Sequence, residues 1–181
     1  MQLIFLLTLP VRTIRTIKLN LKKMKNNFSL KPIGMVNVAN HVFSIQLDKE
    51  FLPALTNIEG FSHLQIIWWG HLFDNPEYRG NLVNEKPYTK GPDNVGIFAS
   101  CSPVRPNPVL ISTITVQDID FEKGIIFTPY IDAENGSPVL DIKPYHLSVR
   151  VKECKVPQWC SHWPEWYEDS ATFNWQDEFN Y

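Results

Sequence analysis

The sequence predicts an all-β or β-dominated barrel or sandwich with one or two short helices. Three observations predict it: repeated short β-branched runs, clusters of Gly, Pro, Asn and Asp between them, and little apolar periodicity of the helical kind. With 181 residues, 44% apolar and 13% aromatic, the chain can bury one core but not comfortably two, so one domain is expected.

In chain order, IGMVNV and HVFSIQL read as a first pair of strands joined tightly at Ala39 and Asn40. KEFLPALTN, residues 49–57, suits one or two helical turns with Pro53 near the start, where its missing N–H costs little. HLQIIWWGHLF is an unbroken apolar run of strand length and is expected to be buried on both faces. Residues 74–94 are polar and rich in Gly, Pro and Asn, which predicts a long loop, either a functional lid or disordered. VLISTITV reads as a strand, IDFEKG as a turn into IIFTPYI, ENGSP as a further turn, and VLDIKPYHLSVRVK as strand again. The C-terminal region from Trp159 holds four of the six tryptophans. So much aromatic surface is expected to wrap back on the β domain or to cover a partner. The domain expectation is a basic leader over 1–31, a β domain over 32–153 and a Trp-rich extension over 154–181.

The formal charge is −2, which gives no electrostatic case for non-specific grip on nucleic acid. Seven bases precede the first acid, Asp48, and leave ten bases against nineteen acids, −9, over residues 32–181. The leader has three readings: residues upstream of an internal start at Met24, a disordered basic tail, or an organelle-targeting segment. MQLIFLLTLP has no basic residue before it and is cut by Pro10, so a secretory signal is not expected. No apolar run is long enough to span a bilayer, so no membrane partner is expected. Cys101, Cys154 and Cys160 are too few for a disulfide framework and favour a reducing, cytoplasmic setting.

Two segments can carry chemistry. In GIFASCSPVRPNPVLIS, three prolines fix φ and drive the preceding residues out of the helical region. That predicts a stiff, extended scaffold from which Arg105 and Asn107 project to one side; the same features also fit a rigid connection with a solvated Arg105. In ENGSPVLDIKPY, Val139, Asp141, Lys143 and Tyr145 alternate with Leu140 and Ile142. Asp141 and Lys143 can pair as an exposed ion pair or jointly engage a ligand. His63 and His71, eight apart, would share a face of a continuous strand. Cys154, Cys160 and His162 supply only three groups at a spacing that suits no zinc site, so no metal is expected. No dinucleotide fingerprint, phosphate-binding loop or serine-hydrolase elbow is present.

The words IEGFSHLQIIWWGH, GIFASCSPVRPNP and GSPVLDIKPY, in this order, resemble the TsaA/TrmO family of S-adenosylmethionine-dependent tRNA methyltransferases over Pro32 to Tyr145. The resemblance implies a single-sheeted β-barrel, a homodimer with S-adenosyl-L-methionine near the subunit interface, and a cytoplasmic enzyme acting on tRNA. The implied reaction is N6-methylation of N6-threonylcarbamoyladenosine beside the anticodon. It places the cofactor against His71, Leu72, Cys101, Ile111 and the turn Asp132, Ala133, Glu134, Asn135. It assigns Arg105 and Asn107 to substrate binding and Asp141, Lys143 and Tyr145 to catalysis. Two charges of the family's words are replaced, by Cys101 and by Asn135, and the upstream Pro-Arg-Gln word is missing. Those departures leave two other expectations: a non-catalytic barrel that binds S-adenosylmethionine or another small molecule, and a methyltransferase for a different small substrate.

Overall fold

The computed structural model describes residues 29–180. The leader through Phe28, and the choice between Met1 and Met24, lie outside the described residues. Strand β1 (Gly34–Ala39) turns at Asn40 and His41 into β2 (Val42–Leu47). Both turn residues have positive φ, 50° and 62°, which is the two-residue hairpin geometry whose twist matches paired strands. At the far end of this hairpin a Cβ on Gly34 would run into the carbonyl oxygen of Gln46, so the close backbone approach requires glycine. Lys49–Leu55 follows as a 3-10 helix, and Pro53 lies inside it rather than near its start.

Strand β3 (His63–Trp69) alternates, with Leu64, Ile66 and Trp68 buried and His63, Gln65, Ile67 and Trp69 half-buried. The expectation of burial on both faces is corrected: one face is core, the other stays partly open. The strand ends at Trp69 and His71 sits in a 3-10 turn, His71–Phe73, so His63 and His71 do not share a strand face. Residues 74–94 are not one loop. They hold a helix, α1 (Pro76–Gly80), and a hairpin of β4 (Val83–Glu85) with β5 (Asn94–Gly96). The helix starts because Asn75 Oδ1 accepts the N–H of Tyr78 and Pro76 occupies the first turn.

The remaining strands are β6 (Val109–Thr115), β7 (Asp118–Asp120), β8 (Ile125–Thr128) and β9 (Pro138–Pro144). Seven strands form one antiparallel sheet in the order β6-β3-β9-β1-β2-β8-β7. The two outermost strands, β6 and β7, are consecutive in the chain. The Val116 N–H still donates to Ser62 O (2.8 Å) while the next N–H, of Gln117, donates to Phe127 O (2.9 Å). The backbone therefore passes from one edge of the sheet to the other in a single residue step, which requires the sheet to curl. Among the described residues no β-ladder joins β6 to β7. The core of Val36, Ile45, Leu64, Ile66, Ile114 and Ile126 is fully buried inside this curl.

β9 departs from simple alternation. Asp141 pairs Ile67 but Val139 pairs Trp68, so Leu140 is a bulge residue. Val139 is buried in the core while Asp141 faces outward, which corrects the expected alternation: Val139 does not share a face with Asp141 and Lys143. The strand also stops at Pro144 instead of reaching Lys152, and a 3-10 turn, Leu147–Val149, follows.

The Trp-rich segment packs on the β4–β5 hairpin. Tyr88 stacks on Trp159 (ring centroids 4.9 Å apart) and meets Trp163 (5.3 Å) and Phe179 (5.6 Å). Beside them the Glu178 carboxylate, 4% exposed, accepts from Lys90 Nζ (3.1 Å), His162 Nε2 (2.7 Å) and Trp163 Nε1 (3.1 Å). Burial alone would raise the pKa of Glu178, but these donors outweigh it and hold the carboxyl below its ordinary value.

Candidate functional site

Three chain segments meet at the end of β3 that carries Trp69. The first is the turn at His71. The second is the Asp132–Ser137 turn before β9, where Gly136 takes φ of 81°. Gly136 N–H donates to Val36 O (2.8 Å), Val38 N–H donates to Asn135 Oδ1 (2.8 Å), and His71 Nδ1 lies 3.3 Å from Oγ of the buried Ser137. The third is the proline segment, whose Pro108 carbonyl accepts the Gly70 N–H at 2.8 Å.

The proline segment is anchored a second time. Arg79 of α1 donates through Nη1 to Pro106 O (3.2 Å) and through Nε to Asp74 Oδ1 (2.5 Å), and its guanidinium lies 5.4 Å from the Trp69 ring centroid. Trp69 Nε1 donates to the other Asp74 oxygen at 3.0 Å. The Arg79 hydrogen bond, with the Trp69 N–H and the Arg79 charge, outweighs desolvation and lowers the Asp74 pKa. Between α1 and Val104 lies a cleft of about 380 Å³ lined by Glu77, Tyr78, Gly80, Asn81 and Val104.

Strand register places the other residues. Ile111, Ile67 and Asp141 form one row across β6, β3 and β9, and Thr113, Gln65 and Lys143 form the next. The Arg105 and Asp141 segments thus enter strands separated only by β3, roughly 10 Å apart. Asp141 and Lys143 form an exposed ion pair at 2.5 Å, and Asp141 Oδ1 also accepts the Ile142 N–H. Ile111 and Leu72 are 65% and 59% exposed, and Cys101 and Asn107 are exposed as well. Asp132 and Glu134 are exposed carboxylates on the turn, flanking Ala133. Partial desolvation, and after it the negative charge of Glu134, push the Asp132 carboxyl up from its usual value even though the residue keeps an exposed surface.

Two expected placements change. The proline segment bends at Pro103 and over Arg105–Asn107 rather than running extended, and the Arg105 Nη1 donates back to the carbonyls of Ser100 and Ser102, each at 3.4 Å. Tyr145, whose N–H donates to His63 O, sits at the opposite end of β3, roughly 20 Å along the strand from the proline segment. Sequence reasoning missed Trp69, Asp74, Arg79 and Ser137. The Asn75-Pro76 pair is a helix-start signal that could have placed Arg79 on a short helix beside the proline segment.

The profile of the tRNA-methyltransferase O N-terminal domain matches residues 23–149. The chain is 35% identical over 118 residues to a probable S-adenosyl-L-methionine-binding protein of Pyrococcus horikoshii, covering 64% of this chain and 81% of that protein. It is 30% identical over 114 residues to the tRNA (adenine(37)-N6)-methyltransferase of Escherichia coli, covering 62% of this chain and 48% of the enzyme. The crystal structure of TrmO from Pseudomonas aeruginosa shares the fold with a TM-score of 0.54 at 22% identity, over 72% of this chain and 62% of that one. With the profile match covering most of its length, the chain belongs to the family of the tRNA-methyltransferase O N-terminal domain.

Proposed function

We propose that this protein is an S-adenosylmethionine-dependent methyltransferase that modifies tRNA. The observation that carries the reading is the paired carboxylates of the 132–135 turn, where partial desolvation and then the Glu134 charge raise the Asp132 pKa. A carboxylate so placed, beside a second one, would be relieved by a sulfonium or ammonium group. The donor set fits the cofactor: Asp132 and Glu134 offer oxygens to hydroxyl or amino groups, and the exposed Leu72 and Ile111 offer apolar surface to a base. The charge absent at Asn135, whose side-chain oxygen is committed to Val38, is supplied by these two neighbours.

When bound, the cofactor supplies an activated methyl group, so the chain's own residues have to orient the acceptor and take up one proton. His71 is assigned to proton uptake: its Nδ1 is engaged by Ser137 Oγ at 3.3 Å, and in the tautomer that carries the proton on Nδ1 the lone pair is on Nε2. Arg105, Asn107 and the cleft beside Tyr78 are assigned to the acceptor nucleoside, and Asp141 with Lys143 to its polar substituent. Tyr145, at the His63 end of β3, is assigned to the part of the acceptor surface farthest from the proline segment. The specific acceptor proposed is N6-threonylcarbamoyladenosine at tRNA position 37. The edge-to-edge link through Val116 and Gln117 supports a single-sheeted barrel. The exposed Leu72 and Ile111 support a second copy packing beside the site, as a homodimer, and a tRNA substrate goes with a cytoplasmic setting.

Calorimetry with S-adenosylmethionine and mass spectrometry of tRNA nucleosides after incubation with labelled cofactor test the reading. Cofactor binding together with labelled N6-methyl-N6-threonylcarbamoyladenosine is expected. The absence of both cofactor binding and label transfer overturns it. Cofactor binding without transfer to any tRNA would instead select the non-catalytic reading, which the engagement of the Arg105 guanidinium with its own loop favours.

A further inference from the structure

Residues 32–181 contain ten bases. Five are neutralised within 4.0 Å by a carboxylate: Arg79, Lys86, Lys90, Lys123 and Lys143. Arg105 is engaged by loop carbonyls. Of the four that remain, Arg150, Lys152 and Lys155 fall within six residues, in a wholly exposed segment just after β9. Among the described residues none of the three has a carboxylate within salt-bridge distance. Glu153 is the one acid in that stretch, so residues 150–155 carry +2 inside a body of −9.

The segment also has an aromatic companion. The Arg150 guanidinium lies 6.0 Å from the ring centroid of Trp166, which is itself 54% exposed. Tyr167, the next residue, meets the His63 ring edge-on at 5.4 Å, which holds this part of the Trp-rich segment against the outer face of β3. Unpaired cations beside an exposed, cation-backed ring are the two elements of single-stranded nucleic-acid contact: charges that follow phosphates and a face on which a base stacks. Glu165, Glu168 and Asp169 flank the ring in sequence, so the positive charge of the contact lies on the 150–155 side alone. All the residues concerned lie beyond the 23–149 stretch that the family profile matches.

We infer that Arg150, Lys152 and Lys155, with Trp166, form a contact stripe for the phosphodiester backbone and one base of the substrate RNA, outside the methyl-transfer site. The inference rests on the tRNA reading above. Opposite-charge recognition of an acidic protein would use the cations but not the ring, and that distinguishes it.

The test is fluorescence anisotropy of the full chain with a tRNA transcript across a potassium chloride series. Replacing Arg150, Lys152 and Lys155 together by Gln should flatten the slope of log affinity against log salt by about 2, at roughly 0.7 per cation for single strands. It should also weaken binding at least tenfold at low salt. Trp166→Ala should weaken binding about tenfold with the slope unchanged. Both variants should bind S-adenosylmethionine as the unmodified chain does, which checks folding. Wild-type slope in the triple variant overturns the stripe alone, as does loss of slope with no effect of Trp166→Ala, the outcome expected of a stripe built for an acidic protein. No tRNA binding by the unmodified chain overturns the stripe and the tRNA reading together, while retained cofactor binding leaves the S-adenosylmethionine site standing.

Discussion

His71 Nδ1 lies 3.3 Å from Oγ of Ser137, joining the turn that leaves β3 to the turn that enters β9. Ser137 is fully buried, so the contact anchors the half-buried imidazole to the protein interior through Nδ1. Ser137→Ala should cost about 1 kcal/mol of stability, the value of one hydrogen bond. It should lower methyl transfer well beyond that, by roughly tenfold, because the ring loses its tautomer and orientation. Thermal melts read beside single-turnover rates check the two effects separately.

Asp132 titrates in the opposite sense from a salt-bridged acid. Its folded pKa is raised, chiefly by desolvation, so its ionised form disfavours the folded state at neutral pH, and stability is gained as pH falls through the raised value. Asp132→Asn should therefore leave the melting temperature at pH 7 unchanged or higher while weakening cofactor binding about tenfold. A variant that melts lower yet binds normally would assign the carboxylate to structure.

Asp74 behaves as the usual case. Its pKa is lowered from 3.8, chiefly by the Arg79 hydrogen bond, so its contribution is complete above about pH 4 and is lost as pH falls through the depressed folded value. Arg79→Gln should remove that acid-side dependence. It should also loosen the proline segment, read as faster amide exchange at Cys101–Asn107 and weaker substrate binding with little change in cofactor affinity.

Glu178→Gln replaces the anion that three donors share. Lys90 and His162 then face a neutral amide, and the melting temperature should fall by roughly 5 °C. The companion Glu178→Asp variant should recover part of the loss, because it keeps the charge while shortening the reach.

Much of the fold could be read from residue patterns because the interactions are local. The β1–β2 hairpin declares itself through Asn40 between β-branched runs, and the β7–β8 hairpin through the DFEKG turn. What escaped depends on partners distant in sequence. Ile67 and Trp69 look like core residues until the register puts Asp141 and Val109 beside them. The Leu140 bulge is invisible to a period-two count, since only pairing with β3 reveals that Val139 and Asp141 face opposite ways. At the site, Arg105, Asn107 and Asp141 stand out by residue type and proline context. The buried Ser137 and the Arg79 link to Pro106 carry no such mark, because their roles come from a backbone and a ring supplied by other segments.

The clasp between the β4–β5 hairpin and the Trp-rich segment spans some seventy to ninety positions of chain, so closing it means ordering long stretches at considerable entropic cost. The seven-stranded sheet has its own fully buried interior and does not depend on that closure. Native-state exchange should then resolve two opening classes: a shallow one that frees Tyr88, Trp159 and Phe179 together, and a deeper one that exposes Ile66 and Ile114. A protease acting on the shallow class would trim the aromatic appendage while sparing the strands that hold His71 and Asp132.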